Sequence, residues 1–162
     1  MSGSNANYNG AAFELQIAGD LLYSIPDLRV ADYKEIKNNF EIGEVRANFI
    51  GENILIRGMK RPRLNQNRKV ATLEFYYGKT DTFIECKYQS VVGTASQKIP
   101  YAMIDGMLNS GDGANTLFVL GGDKLTDRQD EPYYDYVCGD SQKLRYVYRI
   151  NDASWVKQVG WV

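Results

Sequence analysis

Histidine is absent from the sequence. That removes the commonest zinc ligand and the usual general base, so Ser-His-Asp and Cys-His catalysis are excluded. Cysteine is almost as scarce: Cys86 and Cys138 match no metal-ligand spacing and are expected as reduced thiols of an intracellular, cytoplasmic protein. A dominant charge is missing too, since 19 basic and 20 acidic side chains leave a net charge of -1, and any partner must be sought in local placement of charge. No apolar run approaches the roughly 20 residues that cross a bilayer. The opening "MSGSNANYNG" lacks the basic and apolar parts of a signal peptide. No membrane partner is expected.

What is present suffices for one core: with 44% apolar residues in 162, residues 11–162 are expected to form a single domain behind a flexible polar leader over 1–10. Ile17, Ala18, Leu21 and Leu22 recur at helical spacing before Pro26, which predicts a first helix over 11–25. "ADYKEIKNNFEI" suits a second short helix, and "EVRANFIGENILIRG" one or two strands broken at Gly51. "VATLEFYY" and "TFIECKYQ" flank "GKTD" as a hairpin. "KIPYAMIDGMLN" reads as a helix, "NTLFVLGG" as a buried strand, "DRQDEPYYDYVCGD" as an acidic loop and "LRYVYRI" as a further strand.

The hairpin raises the chemical question. A loop over 78–81 pairs Tyr77 with Thr82, and stepping back along both strands sets Glu74 opposite Glu85 and Thr72 opposite Lys87. Alternation puts Ala71, Leu73, Phe75, Ile84 and Cys86 on one face, and Thr72, Glu74, Glu85, Lys87 and Gln89 on the other. Two carboxylates facing each other across a ladder repel, and a cation between them relieves the repulsion. Magnesium is the natural candidate, being content with one or two carboxylates, waters and a phosphate oxygen; manganese is an acceptable substitute. On this reading Glu74 and Glu85 hold the metal, Lys87 orients water and offsets phosphate charge, and Gln89 helps position either. The plainer alternative is a solvated face. Asp81 falls in the turn and is expected to serve it. Cys86, on the apolar side, is expected to be a buried structural thiol.

At these residues the chain resembles the PD-(D/E)XK nuclease superfamily. "IECKYQ" is similar to its (D/E)-x-K half in the version extended by glutamine, and "GTASQKIPYAMID" with "NTLFVLGG" resembles the helix and strand that follow. The resemblance implies an α/β (α+β) fold: a mixed central sheet with an active-site hairpin, flanked by helices, in a restriction-endonuclease-like core. It also implies metal-dependent phosphodiester hydrolysis, usually of DNA. Glu85 and Lys87 carry over to the second acidic position and the lysine. The first acidic position usually holds aspartate, and only Glu74 is offered here. Resolvase-like members also place a glutamate on the first helix, where Glu14 stands; its other reading is a helix-start acid favoured by the macrodipole.

"RGMKRPRLNQNRK" holds six basic residues and no acid just before the hairpin. Arg57, Lys60, Arg61, Arg63, Arg68 and Lys69 are therefore expected to follow DNA phosphates, joined by Lys98 at the later helix start. Tyr76, Tyr77, Tyr133 and Tyr134 are expected to pack more readily than to stack on bases. The expectation is a magnesium-dependent DNA endonuclease, with cleavage of two strands inviting a homodimer. The rivals are an inactive nucleic-acid-binding module of the same fold and a protein-interaction domain.

Overall fold

A computed structural model describes residues 2–40, 44–62, 70–91 and 95–162. Helix α1 spans Ser2–Ser24 and buries Phe13, Ile17 and Leu21 at four-residue intervals. The expected start at residue 11 is too late: the backbone helix runs through the stretch assigned to a leader, because small polar residues do not break a helix as proline does. Its end is where Pro26 requires it.

Among the described residues the main sheet has six strands in the order β1-β2-β5-β6-β7-β8. These are β1 Arg29–Asp32, β2 Ile54–Arg57, β5 Phe75–Tyr77, β6 Thr82–Tyr88, β7 Asn115–Gly121 and β8 Leu144–Tyr148. The pairings β1–β2, β6–β7 and β7–β8 are parallel, whereas β2–β5 and β5–β6 are antiparallel. Five strands thus point one way and β5 alone is reversed. The carboxyl ends of β1, β2, β6, β7 and β8 and the start of β5 therefore share one end of the sheet, the end at which α/β sheets bind ligands. A second, two-stranded ribbon pairs β3 Lys60–Pro62 with β4 Val70–Thr72.

One face of the main sheet, with Leu55, Phe75, Tyr77, Ile84, Cys86, Leu117 and Val119, is covered by α1 and the C-terminal α7 Ser154–Gln158. The other packs Phe118, Leu120, Leu144 and Tyr148 under α4 Ala95–Asn109, α5 Asp123–Thr126 and α6 Glu131–Cys138. Farther along that face, Ile54, Ile56, Tyr76 and Phe83 pack with Tyr33 of α2 (Tyr33–Ile36) and Val45 of α3 (Glu44–Phe49). No described helix is long and apolar enough to cross a membrane.

Three sequence expectations are corrected. "EVRANF" is helix α3, not strand: Val45 turns into the core, and Arg46 reaches Asp81, with Nε to Oδ1 at 2.7 Å and Nη2 to Oδ2 at 2.5 Å. "ADYKEIKNN" divides into strand β1, helix α2 and a 3-10 turn, because parallel pairing with β2 claims its first residues. The acidic stretch around Pro132 forms α6, with proline in the first turn, where its missing N–H costs nothing.

Candidate active site

The hairpin register begins as expected, with Tyr77 opposite Thr82 and Phe75 opposite Ile84. Its turn is specified by both a tertiary and a local constraint: a Cβ on Gly78 would lie 2.4 Å from the Phe49 carbonyl oxygen of α3, and Asp81 takes a left-handed conformation at φ 51°. Asp81 accepts from the Tyr76 hydroxyl at 2.7 Å as well as from Arg46, so it has the structural turn role.

Beyond Phe75 the expected strand does not continue. β4 and β5 are separated at Leu73 and Glu74, and Thr72 pairs with Lys60 instead of Lys87. The physical reason is a shared bend: Gly58, at φ 67°, donates to the Glu74 carbonyl at 3.0 Å, and Leu73 N–H to the Met59 carbonyl at 2.9 Å. Both strands fold out of the main sheet there and become the β3–β4 ribbon. β6 runs on to Tyr88 paired with β7 but without its neighbour on the β5 side, so the Glu74 side chain takes over where that strand has left, its Oε2 accepting from the Cys86 backbone N–H at 3.3 Å.

This leaves Glu74 just before β5, Glu85 at the middle of β6 and Lys87 near its carboxyl end, all toward the same end of the sheet. Lys87 Nζ lies 4.0 Å from Glu85 Oε1. Burial pushes the Glu74 carboxyl up to about 7; nearby Lys87 opposes the rise, while Glu85 and Glu14 add to it. Glu14, one residue off the buried stripe of α1, is likewise raised by burial and pulled back by Arg57 and Lys87. The Cys86 thiol is held well above its usual range by burial, with Glu74 and Glu14 adding to the effect, which makes it an inert core residue. Glu14, Glu74, Glu85 and Lys87 are thus brought together by α1, β5 and β6.

The donor set suits a hard divalent ion. It offers carboxylate oxygens only, and the half-buried Glu74 has other carboxylates acting on it. Among the described residues no group of three or more histidine, cysteine, aspartate or glutamate side chains is arranged to hold a metal. Two carboxylates with waters match the sparse protein ligation that magnesium tolerates.

Other expected site residues fall elsewhere. Gln89 is buried, with Nε2 donating to the Val91 carbonyl at 2.8 Å. Arg61 is corrected outright: only 2% exposed, it is an interior residue rather than a phosphate contact. Its Nε and Nη2 lie 2.9 and 3.0 Å from the Asp112 carboxylate, Nη1 donates to Thr116 at 2.7 Å, and the guanidinium sits 4.4 Å from the Phe83 ring centre. Arg57 is exposed and Lys60 half-buried, while Lys98 is exposed on α4. Arg63, Arg68 and Lys69 lie outside the described residues. Tyr76, Tyr77 and Tyr134 are core residues; Tyr133 is exposed.

Beside the centre opens a cleft of about 910 Å³ that includes Glu14, Glu74, Arg57 and Lys60. Its far wall brings in Asp32, Lys34, Glu35 and Lys37, which sequence reading passed over. The alternation of acid and lysine in "DYKEIK" looks like an ordinary exposed helix, and only the parallel pairing of β1 to β2 carries it to the active end.

A sheet of this order, with carboxylates and a lysine at the carboxyl end of a central hairpin, defines a nuclease-type α/β protein. The model of the PD-(D/E)XK nuclease superfamily domain matches residues 6–123, and the chain belongs to that family. No curated protein and no solved structure matches the chain.

Proposed function

We propose that the protein is a divalent-metal-dependent endodeoxyribonuclease, with magnesium as the working ion and manganese as a substitute. The observation that carries this reading is the gathering of Glu74, Glu85 and Lys87 at one end of the sheet, with Glu14 facing them from α1. Glu74 and Glu85 would hold the ion, with Glu14 adding negative charge from α1, and the ion when bound polarises the phosphate and acidifies a coordinated water. Lys87 directs an ammonium N–H at the attacking oxygen and the phosphate, stabilising charge as it develops. The attacking oxygen forms a new P–O bond as one ester P–O bond breaks, and the departing alkoxide takes up a proton from solvent. Gln89 belongs to this proposal as a support for the end of β6.

The test is supercoiled plasmid incubated with magnesium or manganese. The wild type is expected to nick or cut it, and Lys87→Ala to lower the rate by about a hundredfold or more. Plasmid and single-stranded DNA both left intact by the wild type in both metals would refute the enzyme reading. A second reading, a nucleic-acid-binding module without hydrolysis, is favoured by one observation: a first acidic residue that burial holds at about 7 is partly protonated at neutral pH. DNA binding with no cleavage in either metal would support it.

A further inference from the structure

The cleft beside the centre has two unlike walls. On α1, Ala11, Leu15 and Ala18 fall at positions i, i+4 and i+7 and line it with apolar surface. Leu15 is 62% exposed although it neighbours a helix face otherwise buried in the core. Across from this strip, the segment after β1 contributes Lys34 and Lys37, both exposed, and the end of β2 and the start of β3 contribute Arg57 and Lys60. The centre's Glu74 and Glu14 lie on the same cleft.

We infer that this cleft receives one unpaired nucleic-acid strand, with bases against Leu15 and phosphates along Lys34 and Lys37, and leads it to the catalytic carboxylates. The inference rests on the nuclease reading for the position of the reacting phosphate. Size supports a single strand: about 910 Å³ is the volume of a small-molecule site, enough for a few nucleotides and far less than a duplex needs. The asymmetry supports it as well. A duplex shows phosphates on its outside and hides its base faces, so an exposed leucine sharing a cleft with the exposed Lys34 and Lys37 matches a strand whose bases are unstacked. Of the intervening acids, Asp32 lies 3.9 Å from Arg57, and a lysine side chain is longer than that of aspartate or glutamate.

The experiment is fluorescence anisotropy in EDTA, so that nothing is cut, with a labelled 12-nucleotide DNA strand and the duplex of the same sequence. The wild type is expected to bind the single strand more tightly. The double variant Lys34→Gln/Lys37→Gln is expected to weaken that binding about tenfold and to flatten the log–log salt slope by about 1.4, two single-strand phosphate contacts. Leu15→Asn should weaken single-strand binding and leave the salt slope unchanged. Lys79→Gln, on the exposed turn at the opposite end of the sheet, should change neither. Equal or tighter duplex binding, or an unchanged Lys34→Gln/Lys37→Gln variant, would overturn the inference while leaving plasmid cleavage and the nuclease reading intact. Cleft-dependent single-strand binding by a wild type that never cuts would instead sink the nuclease reading alone.

Discussion

The Glu74 carboxylate accepts the Cys86 backbone N–H at 3.3 Å, standing in for the strand that leaves the side of β6 at Leu73 and Glu74. An acid is thereby built between the two central strands at the point where a metal would be held, with burial raising its pKa to about 7. Glutamate ionises near 4.5 in the unfolded chain, so between about 4.5 and 7 the folded state binds the extra proton. Metal-free protein is therefore expected to lose stability as pH rises through that window, and Glu74→Gln to flatten the loss. Chemical denaturation at pH 5, 6, 7 and 8 checks this. A wild type whose stability rises across the window, or a Glu74→Gln curve parallel to it, would refute the assignment.

Metal binding is coupled to the same proton. Below about pH 7, manganese added to the wild type should displace a proton from Glu74. Titration calorimetry at pH 6 in two buffers of different ionisation enthalpy measures it. Heats that do not depend on the buffer would contradict the coupling.

Arg61 fastens the basic ribbon to the body of the protein. Its guanidinium bridges Asp112 and Thr116 from β3, whose first residue, Lys60, lines the cleft beside Glu74. Arg61→Ala removes a buried guanidinium from the half-buried Asp112 carboxylate and from Thr116, and is expected to cost roughly 2–4 kcal/mol. Arg61→Lys should recover only part of this, since one ammonium cannot serve a bidentate carboxylate and a hydroxyl together. Urea denaturation of the two variants decides it; a loss under about 1 kcal/mol for alanine would show the residue to be dispensable.

Asp20 ties α1 to the C-terminal segment. It accepts from Arg149 Nε at 2.6 Å and from the buried Trp155 Nε1 at 2.7 Å. Asp20→Ala orphans an indole N–H and a guanidinium, and is expected to destabilise by roughly 2–4 kcal/mol. Thermal unfolding followed by tryptophan fluorescence reads the effect, and an unchanged midpoint would contradict it.

The sequence made the hairpin legible because its signals were local and redundant: "GKTD" fixes the turn, and alternation on both sides fixes the register from Tyr77–Thr82 to Phe75–Ile84. β7 was legible for the same reason, as a short apolar run between glycine-rich turns. What failed depended on tertiary partners. Nothing within "EVRANF" announces that Arg46 will meet Asp81, 35 residues later, and make a helix of a stretch that propensity left open. The break at Glu74 needed the matching glycine on the neighbouring strand. Arg61 was misread because a run of basic residues gives no hint that one member points inward to Asp112, 51 residues away. The lysines of the cleft were passed over because their approach to Glu74 depends on β1 joining the sheet's edge.

The central claim is that Glu74 and Glu85 hold one divalent ion beside Lys87, and manganese titration calorimetry at pH 8 tests it most directly. The account predicts one bound ion in the wild type, affinity reduced about tenfold or more in Glu85→Gln and Glu74→Gln, and full binding retained in a Lys87→Ala variant that no longer cuts DNA. Identical isotherms for the wild type and both glutamine variants, or no manganese binding at all, would contradict it.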